Sequence, residues 1–240
     1  MKPFIKTDWK NLLVASYRVT HEGIQTLEEY LPTGTELDDF HGEHYVSIVA
    51  FQFQKTKILG IKIPFYRDFP EINLRFYVKR KVEGEWRRGV VFVREIVPCR
   101  IPALIANIVF RENFFIRPLR CQRAETHLSY CWTEDGVNQR METDTHNEVQ
   151  EPEIGTLIEH IIDHYWAYKK LDETTTGEFQ VTRRPWRVHK CPDARINVDL
   201  GQTYGEKWAG VLEYTPSCIF YVDGSAVGVS RPTKLTFPQN

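Results

Sequence analysis

One predicted strand carries three hydrogen-bonding side chains suited to holding a small polar ligand. The stretch from Arg67 to Val78 reads RDFPEINLRFYV. Side chains two residues apart share one face of a strand, so Glu71, Asn73 and Arg75 lie together, opposite a wholly apolar face. A guanidinium binds a carboxylate through two parallel hydrogen bonds, and a carboxyl group can act as a general acid or base.

A second predicted strand, GVVFVREIVP, contributes two more charged side chains. Arg94 and Glu95 interrupt an apolar run, where an ionised group persists only if it is paired, hydrogen-bonded or in contact with water. A two-residue turn at Glu83 and Gly84 sets Asn73 opposite Arg94, which brings Arg94 onto the polar face. A slip of one residue brings Glu95 there instead, and the sequence leaves both registers open.

The polar face has two interpretations, a solvated ladder of ion pairs or the lining of a cavity. The first strand is apolar on its other face and the second is apolar on both, which is typical of strands buried on both sides. We therefore favour a cavity, in which Arg75 or Arg94 holds an anion. Glu71 and Glu95 are then the candidate catalytic residues.

The sequence gives little support for a metal or a cofactor. His160 and His164 have the four-residue spacing of metal ligands on a helix. The same helical wheel places both on the polar side, without an HExxH motif, so we interpret them as solvated and expect no metal. No glycine-rich phosphate loop is present, so we expect no nucleotide cofactor either.

The surrounding pattern predicts an antiparallel-rich α+β fold in one domain, residues 1–240. Residues 67–81 and 87–97 form a long hairpin, and the late stretch SCIFYVDGSAVGVS reads as another. Thr156 and Glu159 have capping-box spacing, which predicts a helix from Leu157 to about Lys169. A further helix is expected after Pro102, since proline suits a first helical turn.

Composition limits the possible partners. Lys and Arg total 31 against 32 Asp and Glu, so no overall charge attracts nucleic acid or anionic membranes. The N-terminus has no apolar segment of signal-peptide length, and the five cysteines are odd in number without a CxxC pair. We expect a cytoplasmic protein with reduced thiols, without membrane or nucleic-acid partners. The sequence leaves open whether it forms a homo-oligomer.

Several segments together resemble the YqjF-like family of uncharacterised bacterial proteins. They are DWKNLLVASYRV, YLPTGTELDDF, YVSIVAFQF, PFYRDFPEINLRFYV, RRGVVFVREIVP and RRPWRV. That family is similar to the acetoacetate decarboxylase superfamily. The resemblance implies a curved, cone-like antiparallel sheet that encloses a pocket, with a smaller sheet and a few flanking helices.

The resemblance does not carry over the superfamily's Schiff-base chemistry. Its catalytic lysine matches a position near Ile101, and no lysine lies between Lys81 and Lys169. Glu71 matches an acidic residue of the superfamily pocket, and Lys10 stands where an arginine is expected.

We therefore expect a small-molecule-binding protein whose ligand is an anionic carboxylate or oxo compound. The expected ligand-binding residues are Lys10, Glu71, Asn73, Arg75 and Arg94. An enzyme without a Schiff-base lysine is one reading, and a non-enzymatic ligand-sensing or interaction module on the same fold is the alternative.

Overall fold

Strands dominate the part of the chain that the computed structural model describes, which is residues 3–62, 67–98, 114–145 and 148–238. The strands are β1 (Ile5–Arg18), β2 (Glu36–Leu37), β3 (Tyr45–Ile58), β4 (Ile61–Lys62), β5 (Phe69–Val82), β6 (Glu85–Val97), β7 (Phe114–Ile116), β8 (Arg120–Arg123), β9 (His127–Glu134), β10 (Val137–Asp144), β11 (Trp166–Lys170), β12 (Thr175–Arg183), β13 (His189–Lys190), β14 (Arg195–Asn197), β15 (Cys218–Val229) and β16 (Thr233–Thr236). The predicted long hairpin is confirmed as β5 and β6.

The described helices are short. They are α1 (Gly23–Tyr30), α2 (Leu157–Ile162) and α3 (Leu200–Tyr204), followed by a 3₁₀ turn at Glu206–Trp208. None of these helices has the length and apolar character needed to cross a membrane. The helix predicted after Pro102 falls in residues 99–113, outside the described ranges.

The large sheet closes on itself. Its strands follow the order β15, β1, β3, β5, β6, β11, β12, and β12 pairs with β15 again between Val181–Val229 and Arg183–Val227. Neighbouring strands are antiparallel except β6 with β11 and β6 with β7, which are parallel. The predicted α+β, antiparallel-rich curved sheet is confirmed, although the sheet is mixed.

The two faces of the large sheet belong to separate cores. On the outer face, Leu13, Ile48 and Phe76 pack against the smaller antiparallel sheet β14-β10-β9-β8 through residues such as Tyr130 and Trp132. The inner face carries a second core. Its members include Val14, Val49, Phe51, Tyr77, Ile161, Trp186 and Val227. Burial on both sides explains the long apolar runs in β3 and β6.

Helix α2 is shorter than the predicted helix to Lys169. Half of the capping box forms, since Thr156 Oγ1 accepts from Glu159 N, whereas Glu159 Oε2 accepts from Gly155 N, one residue before the N-cap. The helix nevertheless ends at Ile162, and the apolar residues after it form β11. Pairing of β11 with both β6 and β12 satisfies backbone groups that a longer helix would have bonded internally.

The predicted hairpin in SCIFYVDGSAVGVS is wrong, because these residues form the single strand β15. The Asp-Gly signal marks a close backbone approach instead of a chain reversal. Gly224 has φ +89° and pairs with Lys10, and a Cβ there would lie 1.8 Å from the carbonyl oxygen of Trp9.

Replacing Gly224 with alanine should therefore destabilise the fold strongly. Gly84 is a matched control, since its φ is +91° but a Cβ there meets nothing within 4 Å. Gly84→Ala should cost about 1–2 kcal/mol for the left-handed backbone alone. Gly224→Ala should cost about 1–3 kcal/mol more, because it also forces a clash. Urea unfolding of both variants measures the difference, and equal losses would contradict the close approach.

Candidate functional site

A bulge in the β5–β6 hairpin decides which charged residue shares the polar face. The predicted two-residue turn forms, and Arg75 pairs with Phe92 in the register it dictates. Beyond that point Leu74 pairs with Arg94, so Val93 is an extra residue on β6. An extra residue in one strand moves the remaining side chains to the opposite faces.

Glu95, not Arg94, therefore joins the polar face. Glu95 pairs with Asn73 on the inner face. Arg94 points to the outer face, where its Nη1 donates to the Thr203 carbonyl at 2.5 Å and its guanidinium lies 3.9 Å from the Phe115 ring centroid. The register that placed Arg94 beside Asn73 is wrong because it did not include the bulge.

The inner-face polar residues are buried, which excludes a solvated ladder. Glu71 and Asn73 are each 2% exposed, and Glu95 is 5% exposed. Asn73 Nδ2 donates to Glu71 Oε1 at 3.1 Å. Asn73 Oδ1 is buried without a hydrogen-bond partner among the described residues. The acid and amide predicted from the sequence therefore form one buried pair.

Arg75 is a half-buried cation on the same face. Within the described ranges, no carboxylate lies at ion-pair distance, and its Nε is buried without a hydrogen-bond partner. Its guanidinium carbon lies 5.8 Å from the centroid of the Tyr77 ring. An arginine without a counter-ion in such surroundings is suited to binding an anion.

Arg183 brings a second cation to this region, and the residues singled out from the sequence did not include it. Its Nη2 donates to the Ile162 carbonyl at 2.5 Å, and its guanidinium lies 3.8 Å from the Trp186 ring centroid. Burial is the main cause that lowers the pKa of Arg183 to about 10, and the positive charge of Arg75 adds to it. The sequence offered one signal for this position, since Val181 and Arg183 are two residues apart on a strand and therefore share a face.

Aromatic residues adjoin these cations on the inner face. The Trp9 ring centroid lies 5.2 Å from Phe51 and 6.1 Å from Trp186. Trp9 Nε1 is buried and has no hydrogen-bond partner in the described part of the chain. The polar residues thus lie beside aromatic side chains, among which Trp9 Nε1 is a hydrogen-bond donor without a described acceptor.

Lys10 occupies a different register position. It pairs with Gln52, while its neighbour Trp9 pairs with Phe53 of the inner face. Successive strand residues point to opposite faces, so Lys10 lies on the outer-face side of β1. The structure does not bring Lys10 together with Glu71, Asn73 and Arg75.

A second polar cluster lies on the inner face beyond Tyr77. His164 Nε2 lies 3.1 Å from Asp38 Oδ2, and Arg88 Nε donates to the same oxygen at 2.7 Å. Arg88 Nη2 also donates to His160 Nδ1 at 2.5 Å. Both histidines are buried, so the interpretation that they are solvated is wrong.

The electrostatics of this cluster keep one carboxylate charged and both imidazoles neutral near pH 7. Burial lowers the pKa of His164 to about 3 and that of His160 to about 4. Burial alone would raise the pKa of Asp38. The hydrogen bonds from His164 and Arg88 outweigh it, so the pKa of that carboxyl lies well below its usual range.

The helical wheel failed here because α2 ends at Ile162. Asp163 is its C-cap, so His164 follows the helix and its side-chain direction is set by the turn. Its partner Asp38 lies 126 residues earlier in the chain, just after β2. Only the folded chain brings these residues together.

The family DUF2071, described as an uncharacterized conserved protein, matches residues 6–226. The chain belongs to the DUF2071 family. Another relative is the uncharacterized protein YqjF of Bacillus subtilis (strain 168), 25% identical over 127 residues. That match covers 52% of this chain and 50% of YqjF, so the chain spans about half the length of this relative.

Solved structures place this DUF2071 protein in the acetoacetate decarboxylase-like fold. Acetoacetate decarboxylase from Legionella pneumophila has a TM-score of 0.69 at 8% identity, covering 98% of this chain and 88% of that one. An acetoacetate decarboxylase-like enzyme from Sphingomonas wittichii RW1 has a TM-score of 0.64 at 14% identity, covering 99% of this chain and 95% of that one. The enduracididine biosynthesis enzyme MppR, complexed with pyruvate, has a TM-score of 0.65 at 13% identity, covering 98% of this chain and 92% of that one. Identities this low show the fold alone.

Neutralising Asp38 should destabilise the protein far more than neutralising an exposed acid. Asp38→Asn keeps the shape but leaves the Arg88 charge without its counter-ion, which should cost about 3 kcal/mol. Glu151→Gln is the control, since Glu151 and its partner Arg187 are both exposed, and it should cost under about 1 kcal/mol. Urea unfolding at pH 7 gives both values. A loss for Asp38→Asn as small as the control's would contradict a buried, mutually dependent cluster.

Proposed function

We propose that this DUF2071 protein binds a small carboxylate, of the 2-oxo acid class, on the inner face of the closed sheet. Arg75 is the anchor for the carboxylate. The observation that carries the proposal is the environment of Arg75, a half-buried guanidinium that has no anionic partner within the described residues.

The physical argument rests on charge compensation. An ionised group removed from water is stable only when it is paired or hydrogen-bonded, and the buried Nε of Arg75 has no hydrogen-bond partner within the described residues. Its charge also lowers the pKa of Arg183, so two positive groups act on the same region. A carboxylate between them would remove this repulsion and could accept two hydrogen bonds from one guanidinium.

The neighbouring side chains suit the rest of such a ligand. Asn73 Oδ1 is a buried acceptor for a hydroxyl group, and Trp9 Nε1 is a buried donor for a carbonyl oxygen. Glu71 and Glu95 are then the candidate acid and base, because they lie on the same face as Asn73. A role in binding alone, as a cytoplasmic ligand sensor, uses the same residues without turnover.

The comparison with MppR supports the choice of probe. That protein shares the fold and was solved with pyruvate, a small 2-oxo acid. Pyruvate is therefore the first ligand to test on this chain.

Arg75→Met should weaken pyruvate binding about 10- to 100-fold, as expected for the loss of a charge-assisted hydrogen-bonded pair. Arg80→Met is a matched control on the same strand. Arg80 lies on the outer face and pairs with Glu178, so this variant should bind pyruvate as the wild type does. Isothermal titration calorimetry measures all three affinities, with circular dichroism to establish folding. Equal affinity in wild type and Arg75→Met would overturn the proposal.

The protein should form no covalent adduct with pyruvate or acetoacetate under borohydride. A Schiff base needs a lysine that is neutral near pH 7, and residues 82–168 contain none. Mass spectrometry of the intact chain after reduction measures this directly. An adduct that disappears in Lys10→Met would show that Lys10 reaches the ligand, against its register position.

A substrate screen separates enzyme from sensor. Binding without any change in the bound acid, followed by NMR of the ligand, would assign a sensing role. Conversion that is lost in Glu71→Gln or Glu95→Gln would assign acid-base catalysis to these carboxyl groups.

A further inference from the structure

We propose that Asp38, His160 and His164 form a binding site for a divalent transition metal, with Zn²⁺ as its best match. One ligand atom from each residue can be chosen so that all three lie within 4.8 Å of one another. The site is separate from Arg75 and does not depend on the proposed carboxylate.

The three side chains provide two imidazole nitrogens and one carboxylate oxygen, a ligand set found in catalytic zinc sites. Two imidazoles and one carboxylate suit zinc and other borderline metals, and three protein ligands leave a coordination position open. His164 Nε2 and Asp38 Oδ2 are 3.1 Å apart, a separation that fits two ligands of one ion at about 2.0–2.2 Å. The two histidine ring centroids are 5.4 Å apart.

The guanidinium of Arg88 occupies the position proposed for the metal ion. Its guanidinium donates both to Asp38 and to His160, so a positive group is already held between two of the three ligands. The Arg88 side chain is 27% exposed, whereas Asp38 is 6% exposed. Arg88 can therefore swing toward solvent when a metal ion takes its position.

The network with Arg88 leaves the cluster incomplete. His164 Nδ1 is buried and has no hydrogen-bond partner among the described residues. A buried imidazole nitrogen without a partner is costly. The hydrogen bonds with Asp38 and Arg88 therefore do not satisfy every polar atom of the cluster.

The site also lies beside the proposed carboxylate site. The Tyr77 ring centroid is 4.6 Å from that of His164, and the guanidinium carbon of Arg75 lies 5.8 Å from the same Tyr77 ring. A metal with an open coordination position would thus share the inner face with the candidate acids Glu71 and Glu95.

The test uses the full chain, stripped with a chelator and titrated with Zn²⁺ and Co²⁺. Equilibrium dialysis with elemental analysis gives stoichiometry and affinity, and the visible Co²⁺ spectrum reports the ligand set. We expect one ion per chain. His160→Gln and His164→Gln should each weaken binding by more than the roughly 10- to 100-fold cost of losing an outer-shell partner.

Two variants test whether Zn²⁺ binds at this site and not at other histidines of the chain. Arg88→Gln should bind Zn²⁺ more tightly than the wild type, because it removes the competing cation. His189→Gln is the matched control, since His189 Nε2 lies 3.1 Å from Asp223 Oδ2, a pair of the same length outside the proposed site. It should leave the affinity unchanged.

The proposal is overturned if the stripped wild type takes up no Zn²⁺, or if His160→Gln and His164→Gln bind as the wild type does while circular dichroism shows them folded. Binding lost equally in His189→Gln would also overturn it, since the loss would then not be specific to the proposed ligands. A Co²⁺ spectrum that changes in His164→Gln but not in His189→Gln would support the assigned ligands.

Discussion

The pairing of β12 with β15 is the constraint on which the rest of this structure depends. Three residue pairs, from Val181–Val229 to Arg183–Val227, join the two ends of the large sheet. Closure gives the sheet an inner face, and it pairs the edges of β12 and β15 that an open sheet would leave free along these residues. It also brings Arg183 of β12 to the same region as Arg75 of β5, although these strands are not neighbours in the ring.

Charge is distributed unevenly between the two faces. On the outer face, Arg80 and Arg87 both pair with the carboxylate of Glu178. On the inner face, Arg75 has no counter-ion in the described ranges, while Asp38 and Arg88 compensate each other. Since burial makes an unpaired charge costly, this asymmetry is the strongest indication that the inner face receives a ligand.

A shared acetoacetate decarboxylase-like fold does not transfer an activity, because function depends on the residues of the site. No lysine lies between Lys81 and Lys169, where the resemblance places the superfamily's catalytic lysine. The inner face carries arginines, buried carboxyl groups and a histidine-aspartate cluster instead.

Local periodicity in the sequence determined the β5–β6 hairpin, its two-residue turn and the burial of Glu71, Asn73 and their strand on both sides. Alternation and turn signals are local, so a single strand pair reveals them. The resemblance to the YqjF-like family supplied the curved sheet. Tertiary structure alone decided the Val93 bulge, which exchanged Arg94 for Glu95, because a bulge is set by how the strand fits its neighbours. It also decided the end of α2 and the meeting of His164 with Asp38, since contacts between residues 126 apart leave no periodic trace in the sequence.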